Sequence, residues 1–189
     1  MKHSIRRGLG TLALALVCLG VTSTARASDP RQIVLADQNG TAFDLADLQG
    51  RPVVLTFVST RCTDACPIAD AAFDNLARRL RRERISAQLL TITLDPEYDT
   101  PFVMAGVAHR FAADAREWRL ASGAPGNVRR LMRAFNVTAD KDEHGIPEIH
   151  STFVYDIDAR GRLARTLLLS SNIVDDTARL LHGKTFFAH

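Results

Sequence analysis

Cysteine is scarce in this sequence, with three residues among 189. Cys18 lies in an N-terminal segment that we expect to be removed, which leaves Cys62 and Cys66 as one close pair. A single pair excludes a framework of several disulfides. In an oxidising compartment the pair can be a disulfide, a redox couple or half of a metal site, and its spacing leaves all three open.

The sequence also lacks an apolar run long enough to span a membrane. Residues 9–21 are apolar but fall short of the roughly 20 residues that a membrane-spanning helix needs. They follow a basic start and precede Ala25-Arg26-Ala27, which is the layout of a secretory signal. We therefore predict a signal peptide at residues 1–27 and a mature domain at residues 28–189. The mature domain is expected to be soluble in the periplasm or another extracytoplasmic compartment; the alternative is an uncleaved membrane anchor at residues 9–21.

An excess of charge of one sign is also missing from the mature chain. Removal of residues 1–27 takes away four of the 24 basic residues and none of the 21 acidic ones, so the formal charge falls from +3 to −1. A chain without a basic surplus lacks the electrostatic basis for binding nucleic acid. Apart from a membrane-anchored N-terminus, only a partner protein would bring the chain to a membrane.

The mature chain has no repeats or low-complexity linker, and its hydrophobic pattern alternates between strand and helix. An Asn-Gly turn predicts an N-terminal hairpin from residues 33–36 and 42–45. Further strands are predicted at residues 53–58, 87–94, 118–121, 152–157 and 163–169, the last two as a hairpin. Helices are predicted at residues 64–83, 101–111, 128–135 and 175–181, and a polar exposed loop at residues 141–145.

This order of elements predicts a thioredoxin-like α/β domain, with a central mixed sheet, helices on both faces and an N-terminal β-hairpin. Chemistry in such sheets lies where strands end and the next helix begins. Cys62 and Cys66 occupy that place, directly after the strand at residues 53–58. Because a helix N-terminus favours a thiolate, we expect at least one of the two cysteines to be unusually acidic.

Three stretches carry a resemblance to a known family. They are Cys62-x-x-x-Cys66-Pro67 after a buried strand, LDPEYDTP at residues 94–101, and His150-Ser151 opening a strand that ends in YDID at residues 155–158. Together they resemble the SCO/SenC family of thioredoxin-fold proteins, which bind copper and assist assembly of the binuclear copper centre of cytochrome oxidase. The family commonly has proline after the first cysteine, where this chain has Thr63.

The resemblance implies Cys62, Cys66 and His150 as copper ligands. Two thiolates and an imidazole suit copper, Cu(I) especially and also Cu(II), although such ligands also suit zinc. Helical residues four apart have Cβ atoms about 5 to 6 Å apart, whereas a disulfide needs roughly 3.5 to 4.5 Å. A bend at Cys62 would make both a shared metal and a disulfide accessible.

Two residues, His150 and Asp95, have alternative interpretations. His150 stands where thioredoxins usually carry a proline facing the redox pair; position alone fits a ligand and an exposed strand-end histidine equally, and the resemblance favours the ligand. Asp95 ends a buried strand at the same sheet edge as the cysteines. One interpretation is that Asp95 tunes or contacts the metal from outside the set of direct ligands. The other is that it forms an ordinary turn before Pro96.

The resemblance implies an exported copper-binding protein whose partner is a copper-receiving oxidase subunit or another copper carrier. The alternative is an extracytoplasmic thiol-disulfide reductase that carries no copper and uses Cys62 and Cys66 as catalytic thiols. A peroxiredoxin-like peroxidase fits worst, despite Thr60 and Arg61 nearby. The close second cysteine suits dithiol chemistry better than a single attacking thiolate.

Overall fold

The computed structural model describes residues 29–63, 65–148 and 152–185. The predicted signal peptide and its cleavage site after Ala27, like the alternative anchor at residues 9–21, lie outside these ranges. Within the described ranges, none of the helices combines the length and apolar character needed to cross a membrane.

The N-terminal hairpin is present as predicted. It consists of β1 (Leu35–Ala36) and β2 (Ala42–Phe43), which pair antiparallel. The Asp37 carboxylate accepts the N–H groups of Asn39 and Thr41 at 2.9 and 3.0 Å, which closes the turn. Gly40 adopts a φ of 75°, in the left-handed region that glycine tolerates best.

A five-stranded mixed sheet forms the centre of the fold. Its strands are β3 (Val53–Val58), β4 (Gln88–Thr93), β5 (Trp118–Ala121), β8 (Phe153–Ile157) and β9 (Leu163–Leu168). Their order is β5-β4-β3-β8-β9; the pairs among β5, β4 and β3 are parallel, and β8 is antiparallel to β3 and β9. Every residue of β3 and β4 is buried, as expected of strands covered on both faces.

Helices cover both faces of this sheet. They are α1 (Ala65–Glu83), α2 (Pro101–Arg110), α3 (Pro125–Ala134) and α4 (Ile173–Thr185). On α1 the buried side chains recur at helical spacing, including Ala69, Phe73 and Leu80. Burial of a large apolar side chain contributes roughly 1.5–3 kcal/mol, so packing holds α1 on the sheet more than its helix propensity does.

The core has one layer on each side of the sheet. Phe73, Met104 and Trp118 belong to the layer that α1, α2 and α4 cover. Phe57 and Tyr155 belong to the other layer, which α3 and the β1–β2 hairpin cover. This arrangement confirms the predicted thioredoxin-like fold.

Most element ends agree with the sequence-based prediction within one or two residues, and three differences are larger. Helix α4 ends at Thr185 instead of residue 181. Part of the expected loop at residues 141–145 belongs to a small hairpin, in which β6 (Asp140–Lys141) pairs with β7 (Pro147–Glu148). Helix α3 begins three residues earlier than predicted, with Pro125 in its first turn, where the missing N–H of proline costs no hydrogen bond.

Candidate functional site

The two cysteines lie at the carboxyl end of β3 and the start of α1. After β3 the chain makes a turn in which the Cys62 N–H donates to the Ser59 carbonyl at 3.2 Å. Helix α1 then begins at Ala65, so Cys62 precedes the helix and Cys66 occupies its first turn. The predicted bend at Cys62 is therefore present.

The two thiols have different environments. Both are free, and Cys62 is half-buried whereas Cys66 is only 2% exposed. Cys66 packs with Val58 and Ala69, and its sulfur accepts the Ser59 N–H at 3.3 Å. Cys62 packs against the same small cluster as Cys66. The pair is thus an inner thiol on a buried residue and an outer thiol on a partly exposed one.

Cys66 is not the acidic thiol that its position at a helix start predicts. Burial raises the pKa of the Cys66 thiol, and the neighbouring Cys62 side chain adds to this shift. The N–H of Ser59 opposes it without reversing it. Desolvation of the charged form therefore outweighs the helix terminus at this residue.

The sulfur atoms provide two soft donors at one point, which suits a thiophilic metal such as copper. Among residues 29–63, 65–148 and 152–185, no three His, Cys, Asp or Glu side chains lie together as a metal-binding group. The predicted third ligand, His150, lies outside the described residues. The chain is described again from Thr152, where the Thr56 hydroxyl of β3 donates to the Phe153 carbonyl of β8 at 2.9 Å.

Asp95 is bonded to the cysteine loop, which we define as residues 59–63. The bond comes from Arg61, a residue to which the sequence analysis assigned no role in a metal site. Arg61, immediately before Cys62, donates from Nε to the Asp95 carboxylate at 2.8 Å and also pairs with it through Nη2. The Asp95 carbonyl accepts the N–H groups of Tyr98 and Asp99 at 3.0 and 2.7 Å, which is the predicted turn role.

Asp99 is a second residue whose contact with this site the sequence did not predict. Its fully buried carboxylate accepts the Thr60 N–H at 3.1 Å, the Thr93 hydroxyl at 2.6 Å and the Thr60 hydroxyl. The cap of α2 comes from the next residue, Thr100, whose hydroxyl accepts the Val103 N–H at 3.4 Å. Asp99 therefore ties the cysteine loop to the end of β4.

Asp70 is an unexpected carboxyl group one turn after Cys66 on α1. Its Oδ1 atom is buried without a hydrogen-bond partner in the described part of the chain. Burial raises the pKa of Asp70 to about 6; the charge of Arg110 opposes this shift and that of Asp99 adds to it. Asp70 also contributes to the raised pKa of Cys66.

Asp70→Asn should therefore stabilise the protein above pH 6. The native state keeps the Asp70 proton between about pH 4 and 6, where the unfolded chain has lost it, so wild-type stability falls as pH rises through this interval. Two pKa units correspond to about 3 kcal/mol, and we expect a gain of about 1–3 kcal/mol at pH 8. Urea denaturation between pH 4 and 8 measures it.

Asp74→Asn is the matched control, because Asp74 lies on the same helix and pairs with Arg78. This variant should give no stabilisation at pH 8. An Asp70→Asn variant with the stability and pH slope of the wild type would show that the carboxyl group is not held in an unfavourable environment.

Comparison with known proteins identifies the family. The SCO1/SenC family model matches residues 23–182, which is most of the chain. The chain belongs to the SCO1/SenC family. Among SCO1/SenC relatives, a SCO2-like protein of Rickettsia felis is 29% identical over 146 residues, covering 73% of this chain and 68% of that protein.

Solved SCO structures share the fold. The structure of Bradyrhizobium japonicum ScoI with copper bound has a TM-score of 0.68 and 26% identity, and it covers 79% of this chain and 95% of that one. BsSco, a member of the Sco family of cytochrome c oxidase assembly proteins with a disulfide switch, has a TM-score of 0.70 and 21% identity, covering 82% and 91% of the two chains.

Proposed function

We propose that this SCO1/SenC protein is an exported copper-binding protein that assists assembly of the binuclear copper centre of cytochrome oxidase. The observation that carries the proposal is the pair of free thiols of Cys62 and Cys66, which lie in one small cluster at the carboxyl end of β3. Family membership and the copper-bound ScoI structure support the choice of metal.

The proposed ligands are Cys62, Cys66 and His150. Two thiolates supply the soft donors that Cu(I) prefers, and the imidazole adds a nitrogen that favours Cu(II). The buried Cys66 sulfur would anchor the ion, whereas the half-buried Cys62 sulfur is the one that an incoming ligand can reach. Copper is the cargo in this proposal, and a copper-receiving oxidase subunit or another copper carrier is the partner.

Thiol-disulfide reduction is the second candidate function. Oxidation of the Cys62 and Cys66 thiols forms one disulfide and releases two protons and two electrons, which a partner disulfide would accept as it becomes two thiols. The contact between the two thiols favours this chemistry, and BsSco contains a disulfide switch. The same oxidation would remove both thiolates from a bound copper ion, so the two functions compete for one pair of sulfur atoms.

Both candidate functions place the protein outside the cytoplasm. We propose cleavage after Ala27 and a soluble mature domain beginning at Ser28. The basic start, short apolar run and Ala25-Arg26-Ala27 sequence support this proposal. The alternative is retention of residues 9–21 as a membrane anchor.

One purification tests these proposals together. The full chain is expressed in a bacterium with an export pathway, and the exported protein is purified reduced and without chelator. We expect an N-terminus at Ser28 and about one copper per chain by elemental analysis. No copper together with two readily titrated thiols would favour the reductase, and Met1 on membrane-bound protein would favour the anchor.

A further inference from the structure

Arg61 connects three segments around the cysteine pair. Besides its bonds to Asp95 at the end of β4, its guanidinium lies 4.8 Å from the ring centroid of Tyr98 and donates to the Gly145 carbonyl at 3.3 Å. Gly145 belongs to the turn between β6 and β7, 84 residues further along the chain. One side chain thus joins the cysteine loop, the loop after β4 and the β6–β7 hairpin.

Arg61 and the hairpin that it contacts are both close in sequence to proposed copper ligands. Cys62 is the next residue after Arg61, and β7 ends at Glu148, two residues before His150. Arg61 therefore belongs to the loop that carries Cys62, and its guanidinium contacts the hairpin that leads along the chain to the predicted ligand His150.

The Asp95 carboxylate fixes the guanidinium in place. Asp95 is 2% exposed, and a buried carboxylate that loses its partner is strongly unfavourable. The planar guanidinium can bond to this carboxylate and still direct another N–H at the Gly145 carbonyl. The ammonium of lysine is a compact point charge and cannot reproduce this set of contacts.

The charge of Arg61 also reaches the hairpin turn. The Asp142 carboxylate accepts the N–H groups of Ile146 and His144 at 2.7 and 2.8 Å. The Ile146 bond is the largest cause that lowers the pKa of Asp142, and the charge of Arg61 acts in the same direction. Arg61 therefore stabilises the turn by a hydrogen bond to its backbone and by attraction to its acidic side chain.

We propose that Arg61 is a positioning residue that holds the β6–β7 hairpin, which leads along the chain to His150, against the cysteine loop. This inference rests on the proposed copper function for its effect on metal binding. Retention of Cu(II), which benefits most from the imidazole nitrogen, should depend on Arg61 more than retention of Cu(I) does.

The chain offers a matched control in Arg119. Its Nε lies 3.9 Å from the carboxylate of Asp37, which is also buried, and its guanidinium lies 4.7 Å from the ring centroid of Phe43. Arg119 thus repeats the arrangement of arginine, buried aspartate and aromatic ring, but it lies on the edge strand β5. Arg119→Gln controls for the loss of such a cluster away from the cysteine loop.

The test compares Arg61→Gln, Arg61→Lys and Arg119→Gln with the wild type in two measurements. Amide hydrogen exchange of residues 140–148 is measured in the reduced, copper-free protein. Cu(I) and Cu(II) affinities are then measured by competition with chelators specific for each ion.

Arg61→Gln should increase exchange in the hairpin severalfold and weaken Cu(II) binding by about 10- to 100-fold, the usual cost of losing a contact behind a metal ligand. Cu(I) binding, which depends on the two sulfurs, should weaken far less. Arg61→Lys keeps a positive charge beside Asp95 and should remain folded, yet its hairpin should also exchange faster than that of the wild type. Arg119→Gln should change neither measurement.

Unchanged exchange and unchanged Cu(II) affinity in both Arg61 variants would overturn the proposal. Equal losses in Arg119→Gln would also overturn it, because the effect would then be one of general stability. If the wild type binds no copper, the proposed function fails, and hydrogen exchange in the copper-free proteins alone decides whether Arg61 holds the hairpin.

Discussion

Cys62→Ser and Cys66→Ser should each abolish tight copper binding. Either substitution leaves one thiolate and an imidazole, and a serine hydroxyl is a poor ligand for a soft ion. The loss should exceed the 10- to 100-fold that removal of an outer contact costs, because a direct ligand is missing. Competition titration with a Cu(I) chelator under reducing conditions measures it.

The two variants should differ in stability. Cys66 is buried among Val58, Ala69 and Leu169, so a serine hydroxyl in its place is desolvated and should cost about 1–3 kcal/mol. Cys62 is half-buried in the loop, and Cys62→Ser should leave the free energy of unfolding nearly unchanged.

Cys18→Ser provides a matched control, because Cys18 lies in the segment that we propose is removed. It should leave the mature protein's copper affinity and stability as they are. Wild-type copper affinity in either Cys62→Ser or Cys66→Ser would exclude a copper site shared by the two sulfurs. Complete unfolding of both variants would instead indicate that the pair has a structural role.

His150→Ala should separate the two oxidation states of copper. The substitution removes the only nitrogen among the proposed ligands, so Cu(II) affinity should fall strongly and the thiolate-to-copper absorption band should disappear. Cu(I), which the two thiolates hold, should lose much less affinity. The variant should still form a reversible Cys62–Cys66 disulfide, which thiol titration before and after oxidation detects.

His144→Ala is the control for this experiment. His144 lies in the exposed turn between β6 and β7, six residues before His150. Its backbone N–H, and not its ring, donates to the Asp142 carboxylate. Its imidazole should therefore be dispensable for copper binding. An unchanged band and Cu(II) affinity in His150→Ala would remove the imidazole from the ligand set and move the reductase ahead of the copper carrier.

The sequence predicted the elements whose patterns are local. The bounds of β3 and β5 were predicted without error, because each is a short and mostly apolar segment that polar or turn residues flank. The hairpin of β6 and β7 was not predicted, since strands of two residues are too short to show a period of two. The first turn of α3 was missed because Pro125 and Gly126 are usually read as turn residues, although proline fits the first turn of a helix.

The sequence predicted which residues form the candidate site. It predicted their burial and their contacts only in part. The spacing of Cys62 and Cys66 after a buried strand indicated their place in the fold. The burial of Cys66 was not predicted, because a helix start suggests a surface and part of the cluster's packing comes from Leu169, more than 100 residues later. The pairing of Arg61 with Asp95 joins residues 34 apart in the sequence, and no local pattern marks it.

The pairing of β8 with β3 has a consequence for the order in which the site is completed. It aligns Thr56 with Val154, 98 residues later in the chain, and such distant contacts must overcome a large loop-closure entropy before they form. In the export that we propose, a chain that has emerged only as far as β5 would carry both thiols but neither β8 nor His150. The thiols would therefore reach the new compartment before the imidazole does. Until the rest of the chain arrived, they would be exposed to oxidants without the complete set of proposed ligands.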